Sequence, residues 1–266
     1  MKITIVGCGN MGLIYARAFL KYDFVSRKDL FLVARSEARK EELKKLDAGE
    51  VVLAGDAVIG ESDLVILSVK PQDFLSLAAV LKPSLRPGNT ILSIMAGMKM
   101  ETIAAALGQQ NMIRAMPNSP AELGMGMTAF TAGKHVPMQQ VRLAENLLAT
   151  TGRTVFFENE DLLDAVTALS GSGPAYFFYI VKNMIEAGKK MGFDEATAAM
   201  LVKQTMHGAF HLVNNANKSL DDLIKAVASK GGTTEAAFSV FMEKQVGENL
   251  QQGILRARDR ATELSN

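Results

Sequence analysis

The stretch Ile3-Thr4-Ile5-Val6-Gly7-Cys8-Gly9-Asn10-Met11-Gly12 decides the fold, because an apolar run leads directly into a G-x-G-x-x-G pattern. The pattern is typical of a strand, a tight turn and a helix, which we expect from Asn10 to Lys21. Gly7 permits the turn, Gly9 lets the backbone approach a pyrophosphate, and Gly12 lets the helix pack closely on the strand. Because a pyrophosphate would lie at the helix N-terminus, the motif predicts dinucleotide binding, with a plain glycine turn as the alternative.

The segment after the second apolar run indicates which dinucleotide is bound. An acidic residue that recognises the ribose of NAD(H) is expected about 20 residues beyond the last glycine. The chain has Arg35, Ser36 and Arg39 in this region instead. Guanidinium and hydroxyl groups suit a 2′-phosphate, so we expect NADP(H) rather than NAD(H). The alternative is that these residues form only the solvated start of a second helix, with Ser36 as its N-cap.

Length, charge and cysteine content limit the class of protein. A chain of 266 residues can fold as one large domain or two ordinary ones. A net charge of +1 offers no basic excess for nucleic acid, and a single cysteine excludes an internal disulfide framework and fits a reducing compartment. The chain shows no signal-peptide pattern, and its apolar runs fall short of the roughly 20 residues that span a bilayer. We therefore expect a cytoplasmic protein without a nucleic-acid or membrane partner.

The apolar pattern predicts two domains of different class. Strand and helix patterns alternate in the first half, which predicts an α/β, Rossmann-like, doubly wound sheet that is mostly parallel. The predicted strands are 3–6, 30–34, 51–54, 64–69, 90–93, 112–115 and 154–157. Longer helical periods follow, predicting helices over 161–170, 174–191, 194–214, 220–228, 233–244 and 248–263. We therefore expect a dinucleotide-binding domain over 1–159 and an all-helical domain over 160–266.

Further cofactor contacts are expected in the turns after the strands, because ligands of doubly wound sheets bind outside the carboxyl ends of the strands. These turns contain small, glycine and proline residues that suit a close approach by nicotinamide and ribose, with ordinary loop chemistry as the alternative. We place the turn after the sixth strand from Arg114 to Pro120. The predicted cofactor-binding residues are Gly7, Gly9, Asn10, Met11, Gly12, Arg35, Ser36, Arg39, Val69, Lys70, Pro71, Ala96, Gly97, Pro117 and Asn118.

The helical half contains two glycine-rich helix starts. Leu169-Ser170-Gly171-Ser172-Gly173-Pro174-Ala175-Tyr176 opens a long apolar helix, and Ser229-Lys230-Gly231-Gly232-Thr233-Thr234 opens a later one. The second gathers glycines and hydroxyls whose free N–H groups could hold a carboxylate, although a plain capped helix start is the alternative. His207 and His211 lie one helical turn apart but lack the glutamate of an H-E-x-x-H motif and a third ligand, so no metal site is predicted.

Together these motifs resemble those of pyrroline-5-carboxylate reductases, over nearly the whole chain and most specifically in Leu169 to Tyr176 and Gly231 to Thr234. The resemblance implies reduction of 1-pyrroline-5-carboxylate to L-proline by hydride transfer from NADPH, the last step of proline biosynthesis, in a site shared between the two halves. It implies that the catalytic Thr234 hydroxyl meets the ring nitrogen of this imine carboxylate. The residues implied to bind the substrate are Ser229, Gly231, Gly232, Thr233 and Thr234.

The resemblance also implies a homodimer formed through interleaved helical domains, with dimers associating into a larger assembly. Two residues depart from the usual pattern of the family, with Lys230 in place of a proline and Lys225 in place of an acidic residue. Two alternatives therefore stay open. One is a related NADP-dependent imine or β-hydroxyacid-type reductase that acts on another small acid. The other is a non-catalytic paralogue that binds NADP(H) and signals its level through a partner.

Overall fold

A computed structural model describes residues 1–265 of the chain, which form an eight-stranded sheet and a set of long helices. The strand order is β3-β2-β1-β4-β5-β6-β7-β8. Strands β1 to β6 run parallel, β7 is antiparallel to β6, and β8 is parallel to β7. The strands are β1 Ile3–Val6, β2 Leu30–Ala34, β3 Glu50–Leu53, β4 Leu64–Leu67, β5 Thr90–Ser93, β6 Met112–Met116, β7 Gly126–Ala132 and β8 Gly152–Phe156.

Helices cover both faces of this sheet, which confirms the doubly wound α/β prediction. They are α1 Asn10–Lys21, α2 Glu37–Lys44, α3 Pro71–Leu81, α4 Met100–Leu107, α5 Met138–Ala149 and α6 Leu162–Val166, the last continued by a π-helical turn over Thr167–Gly171. Ile3 and Ile5 of β1 are buried against one layer of helices, and Val6 points into the other. Successive strand residues face opposite sides, so strands buried on both faces read as continuous apolar runs.

The remaining helices, as far as Arg256, form a second compact unit. They are α7 Gly173–Lys190, α8 Glu195–Asn215, α9 Leu220–Val227, α10 Thr233–Glu243 and α11 Val246–Ser265. The boundary between the two compact units lies between Ser172 and Gly173. The segment from Ala257 onward belongs again to the first unit. The domain boundary expected between residues 159 and 160 therefore differs from the limits of the compact units and stays a prediction about functional domains.

The helical unit exposes much of its apolar surface. Phe177, Phe178 and Tyr179 on α7 are each more than 60% exposed, and Phe210 on α8 is 57% exposed. Among the described residues of α9 and α10, none is buried. Because large exposed apolar surfaces mark sites of contact with other proteins, we expect a partner surface to cover these helices. No helix within the described residues combines the length and apolar character needed to cross a bilayer.

Several elements differ from the sequence-based expectations. The strand over Gly126–Ala132 was not predicted, because its glycine and small residues give a weak strand pattern. The fourth strand ends at Leu67 instead of residue 69. Arg114 does not begin a turn: it lies inside β6 and is buried.

Candidate functional site

The glycine turn between β1 and α1 is fixed by close backbone contacts at two of its three glycines. Gly7 has φ +98°, and a Cβ at this position would lie 2.6 Å from the backbone of Ser68. A Cβ at Gly12 would lie 2.3 Å from the carbonyl oxygen of Gly7. A Cβ at Gly9 would meet no described atom within 4 Å. The turn is thus packed on its protein side and open at Gly9, where the first turn of α1 presents its N–H groups.

A cleft of about 800 Å³ lies along this open side of the turn. It is formed by the carboxyl ends of β1 to β4 and by residues of α2 and α3. Seven of the predicted cofactor residues line it, namely Gly7, Gly9, Arg35, Ser36, Arg39, Val69 and Lys70. The other predicted residues do not line it, namely Asn10, Met11, Gly12, Pro71, Ala96, Gly97, Pro117 and Asn118. The cleft position agrees with the rule that ligands of such sheets bind at the carboxyl edge.

The end of β2 supplies the charged part of the cleft. Ser36 caps α2, its Oγ accepting a hydrogen bond from the backbone N–H of Arg39 at 3.3 Å. Arg39 Nη2 donates to the carbonyl oxygen of Cys8 at 3.0 Å, and Arg39 Nη1 lies 2.6 Å from a carboxylate oxygen of Glu42. Arg35 is exposed at the cleft wall. Guanidinium groups beside an open glycine turn fit an NADP-type dinucleotide, whose pyrophosphate and 2′-phosphate are both anionic.

The thiol of Cys8 is unsuited to act as a nucleophile in this cleft. Burial raises the pKa of Cys8 to about 12, and the nearby Arg39 charge only partly opposes this effect. A thiol with this pKa stays protonated near neutrality and is a poor nucleophile. Its Sγ lies 3.7 Å from the Ile5 carbonyl oxygen, inside the core of the sheet.

Two of the predicted residues outside the cleft have structural contacts of their own. Gly97 has φ +65°, and a Cβ there would lie 2.7 Å from Leu264 Cβ, at the C-terminal end of α11. Asn118 Oδ1 accepts a hydrogen bond from the N–H of Met127 at 2.9 Å, and Asn118 Nδ2 donates to Ser170 Oγ at 3.2 Å. The roles of Gly97 and Asn118 in cofactor binding stay predictions, while the structure gives each a role in packing the loops.

A buried ion cluster beside these loops was missed by sequence reasoning. Arg114 on β6 is 2% exposed and donates to Asp164 Oδ1 at 2.7 Å and to Glu160 Oε1 at 3.2 Å. Glu160 Oε1 also accepts from the N–H of Met100 at the start of α4, 2.8 Å away. Thr262 Oγ1 on α11 lies 3.5 Å from Asp164 Oδ2. The cluster connects β6, α4, α6 and the end of α11 within the first unit, and both carboxylates pair with the Arg114 guanidinium, as burial of charge requires.

The loop before α10 contains the residues implied to hold a substrate. Gly231 has φ +72°, and its N–H donates to Glu235 Oε2 at 2.6 Å. The N–H of Gly232 donates to the carbonyl oxygen of Ser229 at 3.0 Å. Thr233 and Thr234 form the first turn of α10, whose N–H groups have no carbonyl within the helix to bind. Thr234 is half-buried and Thr233 is exposed.

Sequence reasoning missed Glu235. The available signal was its position as the third residue of a helix, where a glutamate commonly accepts from the N–H groups before the helix. Because Gly231 and Gly232 donate within the loop, the helix start offers the N–H groups of Thr233, Thr234 and Glu235 as its remaining backbone donors to a carboxylate.

The histidine pair of α8 has the geometry expected from its spacing. The rings of His207 and His211 lie 4.6 Å apart, edge to face. Within the described residues, no group of three or more His, Cys, Asp or Glu side chains is arranged to hold a metal ion.

Family models match both parts of the chain. Residues 160–264 match the family described as pyrroline-5-carboxylate reductase dimerisation. Residues 2–97 match the family described as NADP oxidoreductase coenzyme F420-dependent. The dimerisation match and the exposed apolar helices together support homo-oligomerisation of this chain.

Known proteins match the chain over its full length. The pyrroline-5-carboxylate reductase of Pseudomonas aeruginosa is 34% identical over 269 residues, covering 99% of this chain and 97% of the relative. The reductase of Haemophilus influenzae is also 34% identical, covering 98% of this chain and 97% of the relative. A pyrroline-5-carboxylate reductase structure from Coxiella burnetii is 30% identical with a TM-score of 0.86, covering 100% of this chain and 98% of that one. From this full-length similarity, the chain belongs to the pyrroline-5-carboxylate reductase family.

Proposed function

We propose that this protein reduces 1-pyrroline-5-carboxylate to L-proline, with NADPH as the hydride donor. The observation that carries the proposal is the 34% identity to a pyrroline-5-carboxylate reductase over 99% of the chain. The open glycine turn and the hydroxyl-rich start of α10 supply the two binding functions that such a reaction needs.

The cofactor is held by the first unit. The N–H groups at the start of α1 bind the pyrophosphate beside Gly9, and the cations after β2 favour NADPH over NADH. Val69, Lys70 and Pro71 position the ribose and nicotinamide from the turn after β4. Asn10, Met11, Ala96, Gly97, Pro117 and Asn118 complete the proposed set. When bound, reduced nicotinamide supplies a hydride.

The substrate is held by the start of α10. Its carboxylate accepts hydrogen bonds from Ser229 and from the N–H groups of Thr233 and Thr234, at the positive end of the helix dipole. The Thr234 hydroxyl forms a hydrogen bond with the ring nitrogen and orients the C=N bond. A protonated ring nitrogen makes the neighbouring carbon electrophilic, and the same nitrogen keeps its proton in the product amine. Positioning therefore supplies most of the catalysis, and no strong protein acid is required.

The oligomer we propose is a homodimer formed through the helical unit, with dimers associating further. Its support is the apolar surface of α7 and α8, which a partner copy would cover. Light scattering after size-exclusion chromatography measures the mass directly. A mass equal to a multiple of two chains is expected, whereas a stable monomer at micromolar concentration would contradict the proposal.

The function is tested by the initial rate of NADPH oxidation with 1-pyrroline-5-carboxylate, alongside NADH and a reaction without substrate. We expect rapid turnover that prefers NADPH. Thr234→Ala should lower kcat by at least about tenfold, as for loss of one positioned hydrogen bond to a reacting group. Thr234→Ser keeps the hydroxyl and should retain most of the wild-type kcat.

Ser239→Ala, an exposed hydroxyl deletion on the same helix, is the matched control. No turnover by a wild-type protein that binds NADPH would reject the proposed reaction. It would favour another small imine acid or a sensor of NADP(H), and the loop around Lys225 and Lys230 would then become the first place to examine.

A further inference from the structure

The two arginines after β2 differ in their surroundings, although the sequence presents both as candidates for a 2′-phosphate. Arg39 is half-buried and directed at the glycine turn, where it donates to the carbonyl oxygen of Cys8 at 3.0 Å. Its other terminal nitrogen lies 2.6 Å from Glu42, which lines the same cleft. Both terminal nitrogens therefore have acceptors, and the charge of the guanidinium is compensated by a carboxylate.

Arg35 has none of these restraints. It is exposed and lines the cleft immediately after β2. Among the described residues, none forms an ion pair or hydrogen bond with its guanidinium. A planar cation with uncommitted donors is suited to bidentate recognition of a phosphate.

We infer that Arg39 is a positioning residue that braces the glycine turn for either dinucleotide, and that Arg35 determines the preference for a 2′-phosphate. The inference rests on the proposed binding of NADP(H) but not on the reaction. It assigns different roles to two residues that spacing alone treats alike.

The contact between Arg39 and Cys8 explains why the brace acts on both dinucleotides. Cys8 lies between Gly7, which has φ +98°, and Gly9, whose open side faces the cleft. Glycines allow this turn many conformations, so a hydrogen bond to the Cys8 carbonyl limits them. Loss of the brace would disorder the site for the pyrophosphate, which NADH and NADPH have in common.

The test measures binding rather than turnover, with calorimetric Kd values for NADPH, NADH, 2′,5′-ADP and 5′-AMP. Arg35→Gln should lower the ratio of the NADH Kd to the NADPH Kd by about tenfold, as for loss of a hydrogen bond to a charged group. It should remove most of the advantage of 2′,5′-ADP over 5′-AMP. Arg39→Gln should weaken NADPH and NADH by a similar factor, leaving their ratio within about twofold of wild type.

Arg39→Lys separates charge from geometry. It keeps a cation but cannot reach the Cys8 carbonyl and Glu42 with the same planar fork, so it should behave like Arg39→Gln. Lys40→Gln is the matched control. It removes one positive charge from α2, the helix that contains Arg39, at a residue that does not line the cleft. Circular dichroism and thermal unfolding show that each variant is folded at the assay temperature.

Two results would overturn the inference. One is an Arg39→Gln protein that binds NADH normally and loses its preference for NADPH. The other is an Arg35→Gln protein with an unchanged ratio. A wild-type protein that binds both dinucleotides as expected but does not reduce the imine would reject the proposed reaction and leave the assignment of the arginines standing.

Discussion

Replacing Gly9 with alanine should remove most of the dinucleotide affinity while leaving the fold intact. The residue has φ −85°, which alanine adopts without strain, and a Cβ added there would meet no described atom within 4 Å. Loss of a glycine at the N-cap of α1 destabilises the fold, whereas the reduced entropy of the unfolded chain stabilises it. Each effect amounts to roughly 0.5–1 kcal/mol. The free energy of unfolding should thus change by less than about 1 kcal/mol.

The same open space explains the expected loss of dinucleotide affinity. A methyl group there would occupy the path by which a pyrophosphate reaches the N–H groups of α1. Loss of one hydrogen bond to a charged group weakens binding by about 1.5–3 kcal/mol, so Kd should rise roughly 10- to 100-fold. At a ligand concentration of about 100 times the wild-type Kd, NADPH stabilises the wild-type protein by about 2.7 kcal/mol. With a 100-fold weaker Kd the same relation gives only about 0.4 kcal/mol.

Calorimetry with NADPH and NADH, and thermal unfolding with and without NADPH, measure both effects. Gly12→Ala is the matched control, because its Cβ would lie 2.3 Å from the Gly7 carbonyl oxygen. Overpacking of this kind costs about 1–3 kcal/mol and should lower the Tm of the free protein by about 5 °C. A Gly9→Ala protein with wild-type affinity for NADPH, or a Gly12→Ala protein with an unchanged Tm, would refute the reasoning.

Three further predictions concern the ionisable side chains of Arg114, Cys8 and Glu235. Arg114→Met should cost about 3–5 kcal/mol and lower Tm by about 10 °C, because it leaves two carboxylates without their buried cation; an unchanged melting curve would contradict this. Cys8 should resist thiol reagents at pH 8 until urea is added. Because its folded pKa of about 12 exceeds the ordinary value of 9.0, it should lower the free energy of unfolding as pH rises from 9 to 12, measurable by urea titration against Cys8→Ser. Glu235→Gln keeps an acceptor for the Gly231 N–H and removes a negative charge beside the proposed carboxylate site, so KM for the imine acid should fall severalfold with little change in kcat; a raised KM would contradict that view.

Local patterns made the first unit predictable. Gly7, Gly9 and Gly12 act on the conformation and packing of one short turn. Their spacing alone therefore indicates a strand, a turn and a helix, and the edge of the sheet where a ligand binds. Buried parallel strands such as β1 and β2 are continuous apolar runs, which is why their bounds were predicted to the residue.

Contacts between distant residues were not predictable in this way. In the sequence, Arg114 is a single charged residue near a predicted turn. Only the fold brings it into contact with Glu160 and Asp164, which lie 46 and 50 residues further along the chain. Gly97 reads as a glycine suited to close approach by a ligand, whereas the neighbour seen in the structure is Leu264. The arginines after β2 were found by their type and spacing, but their different partners depend on where the glycine turn lies.

The return of the end of α11 to the first unit affects how the chain is assembled during synthesis. The first unit is discontinuous, since Thr262 meets Asp164 and Ala261 lies near Gly97 only after the intervening helices have been made. A nascent chain that has emerged only as far as residue 172 contains every strand of the sheet but not this closing segment. Maturation of the nucleotide-binding half should therefore wait until the segment from Ala257 onward has left the ribosome, and a fragment cut before Ala257 should fold without the contacts that this segment makes at Gly97 and Asp164.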